Sequence, residues 1–207
     1  MTTGLPRFLT RPAPEYRPGE RCEMCAEPIG DEHSHVANLA DRGILCACRG
    51  CALLFTRRGA AGGKFLTVPD RYLHQADLAG AARLWESTSI PVRMAFFFTN
   101  STLGQTVAFY PSPAGATESL LTLADWDELL EANPAFADLR DDVEALLINK
   151  RDEAFEGFLV PIDRCYELAG LVKLHWRGFD GGTTAWGHID RFFAELRDRG
   201  GSGGGHG

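Results

Sequence analysis

The stretch RCEMCAEPIGDEHSHVANLADRGILCACRGCALLF, residues 21–55, decides how the rest of the chain is read. It holds five of the six cysteines, as two Cys-x-x-Cys pairs, Cys22 with Cys25 and Cys48 with Cys51, separated by twenty-two residues, plus Cys46. That spacing is close to the pattern of zinc ribbons and knuckles. Each pair can present two thiolates to one ion at about 2.3 Å, and two facing pairs complete a tetrahedron. Between them, residues 33–39 and 44–48 read as short strands on either side of the turn-prone triplet Asp41, Arg42, Gly43. A hairpin this small buries too little apolar surface to fold alone, so a bound metal would supply folding free energy on the order of 10 kcal/mol. The metal expected at Cys22, Cys25, Cys48 and Cys51 is therefore structural.

Seven donors compete for four places, which leaves His33, His35 and Cys46 as additional ligands or as groups that tune the thiolates. Residues two apart on a strand share a face, so Cys46 lies on the side of Cys48, and His33 on the side of His35. The register stays open. A two- or four-residue loop brings His35 over the cysteine face, whereas a three-residue loop places it opposite. Zinc is the metal that spacing favours, with an iron–sulfur cluster as the alternative that the same four thiolates also accommodate. A redox-active thiol pair fits less well, because Cys22 follows a proline-rich leader instead of a strand.

Working outward, residues 1–20 carry prolines at 6, 12, 14 and 18 and form an extended leader without the apolar core of an export signal. The compartment implied is a reducing cytoplasm, where clustered cysteines point to metal and not to disulfides. Residues 21–65 make up the cysteine module, and a Gly-rich connection leads into a second unit over residues 66–199. There, Leu78, Ala81, Ala82 and Trp85 recur at helical spacing, and residues 91–99 form a buried strand with a hairpin partner at 106–110. Thr122 and Asp125 resemble a capping box before a helix that buries Trp126, Leu129 and Leu130. Leu139, Val143, Leu146 and Leu147 fit another helix, and residues 155–161 a strand. Residues 162–176 fit either period. Trp186, Ile189, Phe192, Phe193 and Leu196 mark a last helix, and residues 200–207 a solvated Gly-rich tail. The fold class is α+β: a small zinc-ribbon-like hairpin module followed by a mixed α+β domain.

Charge and hydropathy exclude several functions. Asp and Glu outnumber Lys and Arg by 28 to 21, a formal charge of -7 that disfavours nucleic acid as partner. No apolar run reaches the roughly 20 residues of a membrane span. Cys165 reads as core. No nucleophile elbow accompanies His175, His188, Asp163 and Ser119, and no Walker or Rossmann glycine pattern is present, so no catalytic residue is assigned. Residues 118–156 hold twelve acidic and three basic side chains, a lopsided stretch suited to a solubilising surface or a basic partner.

Beyond the cysteine run, the segments IPVRMAFFF (90–98), FYPSPAGATESLL (109–121), DVEALL (142–147) and VPIDRCYELAGLVKLHWRGFDGG (160–182) complete a recognisable pattern. From residue 20 to about 197 the chain resembles an uncharacterised actinobacterial family encoded beside [NiFe] hydrogenase structural genes. The resemblance implies a protein partner, a [NiFe] hydrogenase subunit or maturation intermediate. It makes Cys22, Cys25, His33, His35, Cys46, Cys48 and Cys51 the family's metal-binding candidates. The reading that follows is a non-catalytic accessory protein with a structural metal, or alternatively an iron–sulfur electron carrier linked to a hydrogenase.

Overall fold

The computed structural model describes residues 21–88, 90–119 and 125–201. The leader, Thr122 of the expected capping box and residues 202–207 of the tail lie outside the described residues. In chain order the elements are β1 (Ser34–Asn38), β2 (Gly43–Ala47), α1 (Arg49–Leu54), β3 (Phe65–Thr67), β4 (Leu73–Gln75), α2 (Ala81–Thr88) and β5 (Met94–Asn100). They continue with β6 (Gln105–Ser112), β7 (Gly115–Ser119), α3 (Trp126–Ala132), β8 (Glu144–Arg151), β9 (Ala154–Pro161), α4 (Ile162–His175) and α5 (Gly182–Gly201). The class is α+β, with a small antiparallel sheet ordered β2-β1-β3 and a large one ordered β4-β9-β8-β5-β6-β7.

The large sheet is covered on both faces, which is why its central strands are apolar without alternation. One row of side chains runs Phe109, Phe96, Leu147, Phe158 across four adjacent strands and packs against Cys165, Leu168 and Val172 of α4 and Ile189, Phe192 and Phe193 of α5. The next row, Ala108, Phe97, Leu146, Leu159, faces the opposite way onto Ala81, Leu84 and Trp85 of α2 and Trp126 and Leu129 of α3. Successive residues of a strand point to opposite faces, so burying both faces makes Met94 to Phe98 continuously hydrophobic.

The same cause corrects the helix expected over Leu139, Val143, Leu146 and Leu147. These residues satisfy i, i+4, i+7, i+8 spacing, but 144–151 is strand β8, hydrogen-bonded to β5 and β9. A strand buried on both sides loses the two-residue period that would have identified it. The ambiguous residues 162–176 resolve as α4, which starts directly after β9 with Asp163 in its first turn. The last helix is longer than its apolar stripe and includes Gly200 and Gly201 of the expected tail.

Several carboxylates of the acidic stretch are paired with arginines from elsewhere in the chain. Arg71 grips the fully buried Glu144 through Nε and Nη2, at 2.8 and 2.6 Å, and Arg197 grips Glu156 at 2.9 and 2.7 Å. Arg42 reaches Glu118, Arg58 reaches Asp142 and Arg83 reaches Glu128. Two of these pairs, from Arg42 and Arg58, fasten the cysteine-rich region to the larger sheet. An apolar seam of Ala37, Leu66 and Val143, flanked by Ile44 and Val68, joins them as well.

Candidate metal centre

Residues 22–27 form a tight loop held by backbone bonds from Ala26 N to Cys22 O and from Cys22 N to Glu27 O, both 2.8 Å. Ala26 takes a positive φ of 63°, which lets the chain reverse within this turn. Arg21 and Pro28 close the loop as an antiparallel bridge, and Glu23 N bonds Cys46 O at 2.9 Å, so the first cysteine pair is tied to β2. The second pair sits differently from the turn that its spacing suggests. Cys48 caps the N-terminus of α1, its Sγ accepting from Cys51 N at 3.4 Å, and Cys51 lies on the first helical turn. This pair therefore follows a strand and opens a helix, the setting that the first pair lacks.

The two pairs converge. The Sγ atoms of Cys22, Cys25, Cys48 and Cys51 all lie within 4.8 Å of one another, and Cys25 and Cys48 are 3.7 Å apart. A tetrahedron of thiolates at about 2.3 Å from one ion has edges of about 3.8 Å, so the four cysteines could hold a single metal ion with little adjustment. The thiols are electrostatically unequal. Burial opposes ionisation of Cys22, but hydrogen bonds from the backbone of Cys48, Met24 and Cys25 outweigh it and bring that thiol down to about 6. Cys51 is pushed up to about 12, first by its hydrogen bond with Cys25 and then by burial. Four sulfurs this close cannot all ionise without a cation to offset their mutual repulsion.

Around the centre, among the described residues, Cys22, Val36, Ala47, Ala52 and Phe55 form a small buried apolar cluster, with Met24, Ile29 and Phe65 among those at its edge. This core is too small to order residues 21–55 by itself.

The remaining three candidates also come together. The β1–β2 loop has four residues, 39–42, and pairs His35 directly with Cys46. Ligand atoms of His33, His35 and Cys46 lie within 4.8 Å of one another, as a group separate from the four cysteines. Burial and the adjacent Glu23 carboxylate raise the Cys46 thiol. Sequence reasoning missed the pairing of His35 with Asp163, whose Oδ2 is 2.6 Å from His35 Nδ1. No local signal could have found it, because the two are 128 residues apart in the chain.

Cys165, on α4, is fully buried in the core against the large sheet, with its thiol raised by burial. No helix among the described residues is long and apolar enough to cross a membrane. Neither the curated proteins nor the solved structures contain a match to this chain. Residues 21–200 match a family model described as "Family of unknown function (DUF5947)", and the match takes in both sheets, all five helices up to Gly200 and every cysteine, so the chain belongs to that family.

Proposed function

We propose that this protein is a non-catalytic accessory protein in which a structural zinc ion, held by Cys22, Cys25, Cys48 and Cys51, shapes a small zinc-ribbon-like docking module on a larger α+β domain. The observation that carries this reading is the convergence of four sulfurs to within 4.8 Å around a cluster of five buried residues. Four protein thiolates fill a tetrahedral ion, leaving no position for substrate or water, which is the signature of a structural site. The closeness of all four sulfurs, every pair within 4.8 Å, supports one ion over a multinuclear iron–sulfur cluster, in which thiolates bound to different irons are held farther apart. Cysteines grouped as candidate metal ligands, and not spaced as a disulfide framework, accord with a reducing cytoplasm as the working compartment.

The partner is the one that the sequence resemblance implies, a [NiFe] hydrogenase subunit or maturation intermediate. Leu53 and Leu54 on α1, beside Cys51, are 61% and 66% exposed and supply an apolar contact surface positioned by the metal. Anaerobic purification followed by X-ray absorption at the metal edge tests the centre. A colourless protein with zinc on four sulfurs supports it, and a brown, iron-loaded protein bleached by dithionite replaces it with the electron-carrier reading. Affinity capture from cells with intact hydrogenase tests the partner, and recovery of no hydrogenase polypeptide overturns that assignment.

A further inference from the structure

We infer that His33, His35 and Cys46 form a second transition-metal site, distinct from the four-cysteine centre, that binds a zinc-class divalent ion through two imidazole Nε2 atoms and one thiolate and keeps one exchangeable position.

The inference rests first on tautomers. His33 Nδ1 is 2.8 Å from the carbonyl oxygen of Gly30, which only accepts, so Nδ1 carries a proton and the neutral ring has its lone pair on Nε2. His35 Nδ1 is 2.6 Å from the Asp163 carboxylate, which likewise places a proton on Nδ1, so that the neutral ring carries its lone pair on Nε2. Metal-bound histidines almost always have this arrangement, with the far nitrogen tied to a carbonyl or carboxylate that orients the ring and raises its basicity. Here both rings have it.

The second support is an unmet need. His33 Nε2 is buried and has no hydrogen-bond partner. A buried acceptor left bare costs about 1–3 kcal/mol, and a cation at this point removes that cost.

The third support is the strand register. His35 O accepts from Val68 N at 3.0 Å, while Cys46 bonds Glu23 through both its N–H (2.5 Å) and its carbonyl (2.9 Å). Both residues therefore direct their backbone groups away from each other, making His35–Cys46 a non-hydrogen-bonded antiparallel pair, the kind whose side chains approach most closely. His33, two residues before His35, projects to the same face, with ring centroids 4.8 Å apart at 69°. Mixed imidazole and thiolate donors suit zinc among the common divalent ions, and three protein ligands leave the fourth position for water or a partner's donor. Because Asp163 belongs to the first turn of α4, an ion on His35 would also fix the cysteine module to the larger domain.

The test uses the full chain loaded with zinc or cobalt(II). Wild-type protein should bind two ions per chain, with five sulfurs among the eight donors seen by zinc-edge X-ray absorption. His33→Ala and Cys46→Ala should each reduce the stoichiometry to one and leave an all-sulfur spectrum. Asp163→Asn should keep two ions but weaken one about 10–100-fold in a chelator competition. Cys51→Ser should instead perturb the four-sulfur ion and leave the mixed-donor one, so failure of the structural centre and failure of this site give different spectra. One ion per chain on four sulfurs in the wild type overturns the inference. So does a second ion unaffected by both His33→Ala and Cys46→Ala. If either variant loses both ions, the wild-type donor ratio decides.

Discussion

Stripping the metal from Cys22, Cys25, Cys48 and Cys51 should unfold the cysteine module while the large sheet stays intact. Structural zinc in small modules contributes apparent free energies of about 10–16 kcal/mol at neutral pH. Side-chain pairs link the module to the rest: His35 with Asp163 at 2.6 Å, Arg42 with Glu118 at 3.2 Å, and Arg58 with Asp142 at 3.1 Å and with Asp141 at 3.4 Å. Partly exposed pairs of this kind contribute about 0–1 kcal/mol each, too little to replace the ion. Small side chains dominate the module's own core, where, among the described residues, Val36 and Phe55 are the only large, fully apolar ones that are buried. Hydrogen exchange read by mass spectrometry, before and after a strong chelator, measures the consequence directly. Amides of β1 and β2 should exchange at least about 10³-fold faster without metal, corresponding to about 4 kcal/mol of lost protection, while those of β5, β8 and β9 change little. Unchanged protection in β1 and β2, with all four thiols shown to be free, would refute the claim that the ion organises this segment.

Three further outcomes follow from the same structure. Glu156 lies between Arg197 and Asn149; burial opposes its ionisation, but the Arg197 hydrogen bonds outweigh that and hold its carboxyl below the ordinary range. Its stabilising contribution is thus present above the ordinary carboxylate pKa and is lost as pH falls through the depressed value; Glu156→Gln should cost about 1–2 kcal/mol in urea unfolding at pH 7, with a smaller difference in acid. Gly181 has φ of +85°, and a Cβ there would sit 2.8 Å from the Trp176 ring, so Gly181→Ala should destabilise by about 1–3 kcal/mol and lower the thermal midpoint; an unchanged midpoint counts against the tight turn. In metal-free protein, five cysteines should react with a thiol reagent under native conditions and Cys165 only after global unfolding; six fast thiols would contradict its burial.

The convergence of Cys22, Cys25, Cys48 and Cys51 was legible because two Cys-x-x-Cys pairs carry their geometry in a spacing of a few residues, written directly in the sequence. The hairpin was legible too, down to its alternatives, since only the loop length was undetermined. A four-residue loop settled it and placed His35 against Cys46. Strand β5 could be recognised from its length and aromatic content. Strand β8 could not, because Leu146 and Leu147 serve opposite faces of one sheet and their adjacency mimics a helical stripe. Asp163 and Gly30 escaped for another reason. Their roles come from a carboxylate and a backbone carbonyl brought by folding to one nitrogen each, and neither leaves a local pattern.

The rim of the large sheet has a consequence for self-association. Its outer strand β4 is only three residues long, and the end of α5 lies so close that a Cβ on Gly200 would stand 2.7 Å from His74 N. Arg199 adds its guanidinium over Tyr72, 4.0 Å from the ring centroid. A short margin roofed in this way gives an incoming chain little to zip onto, so fibrillar growth and strand exchange are discouraged at that side even when the protein is concentrated.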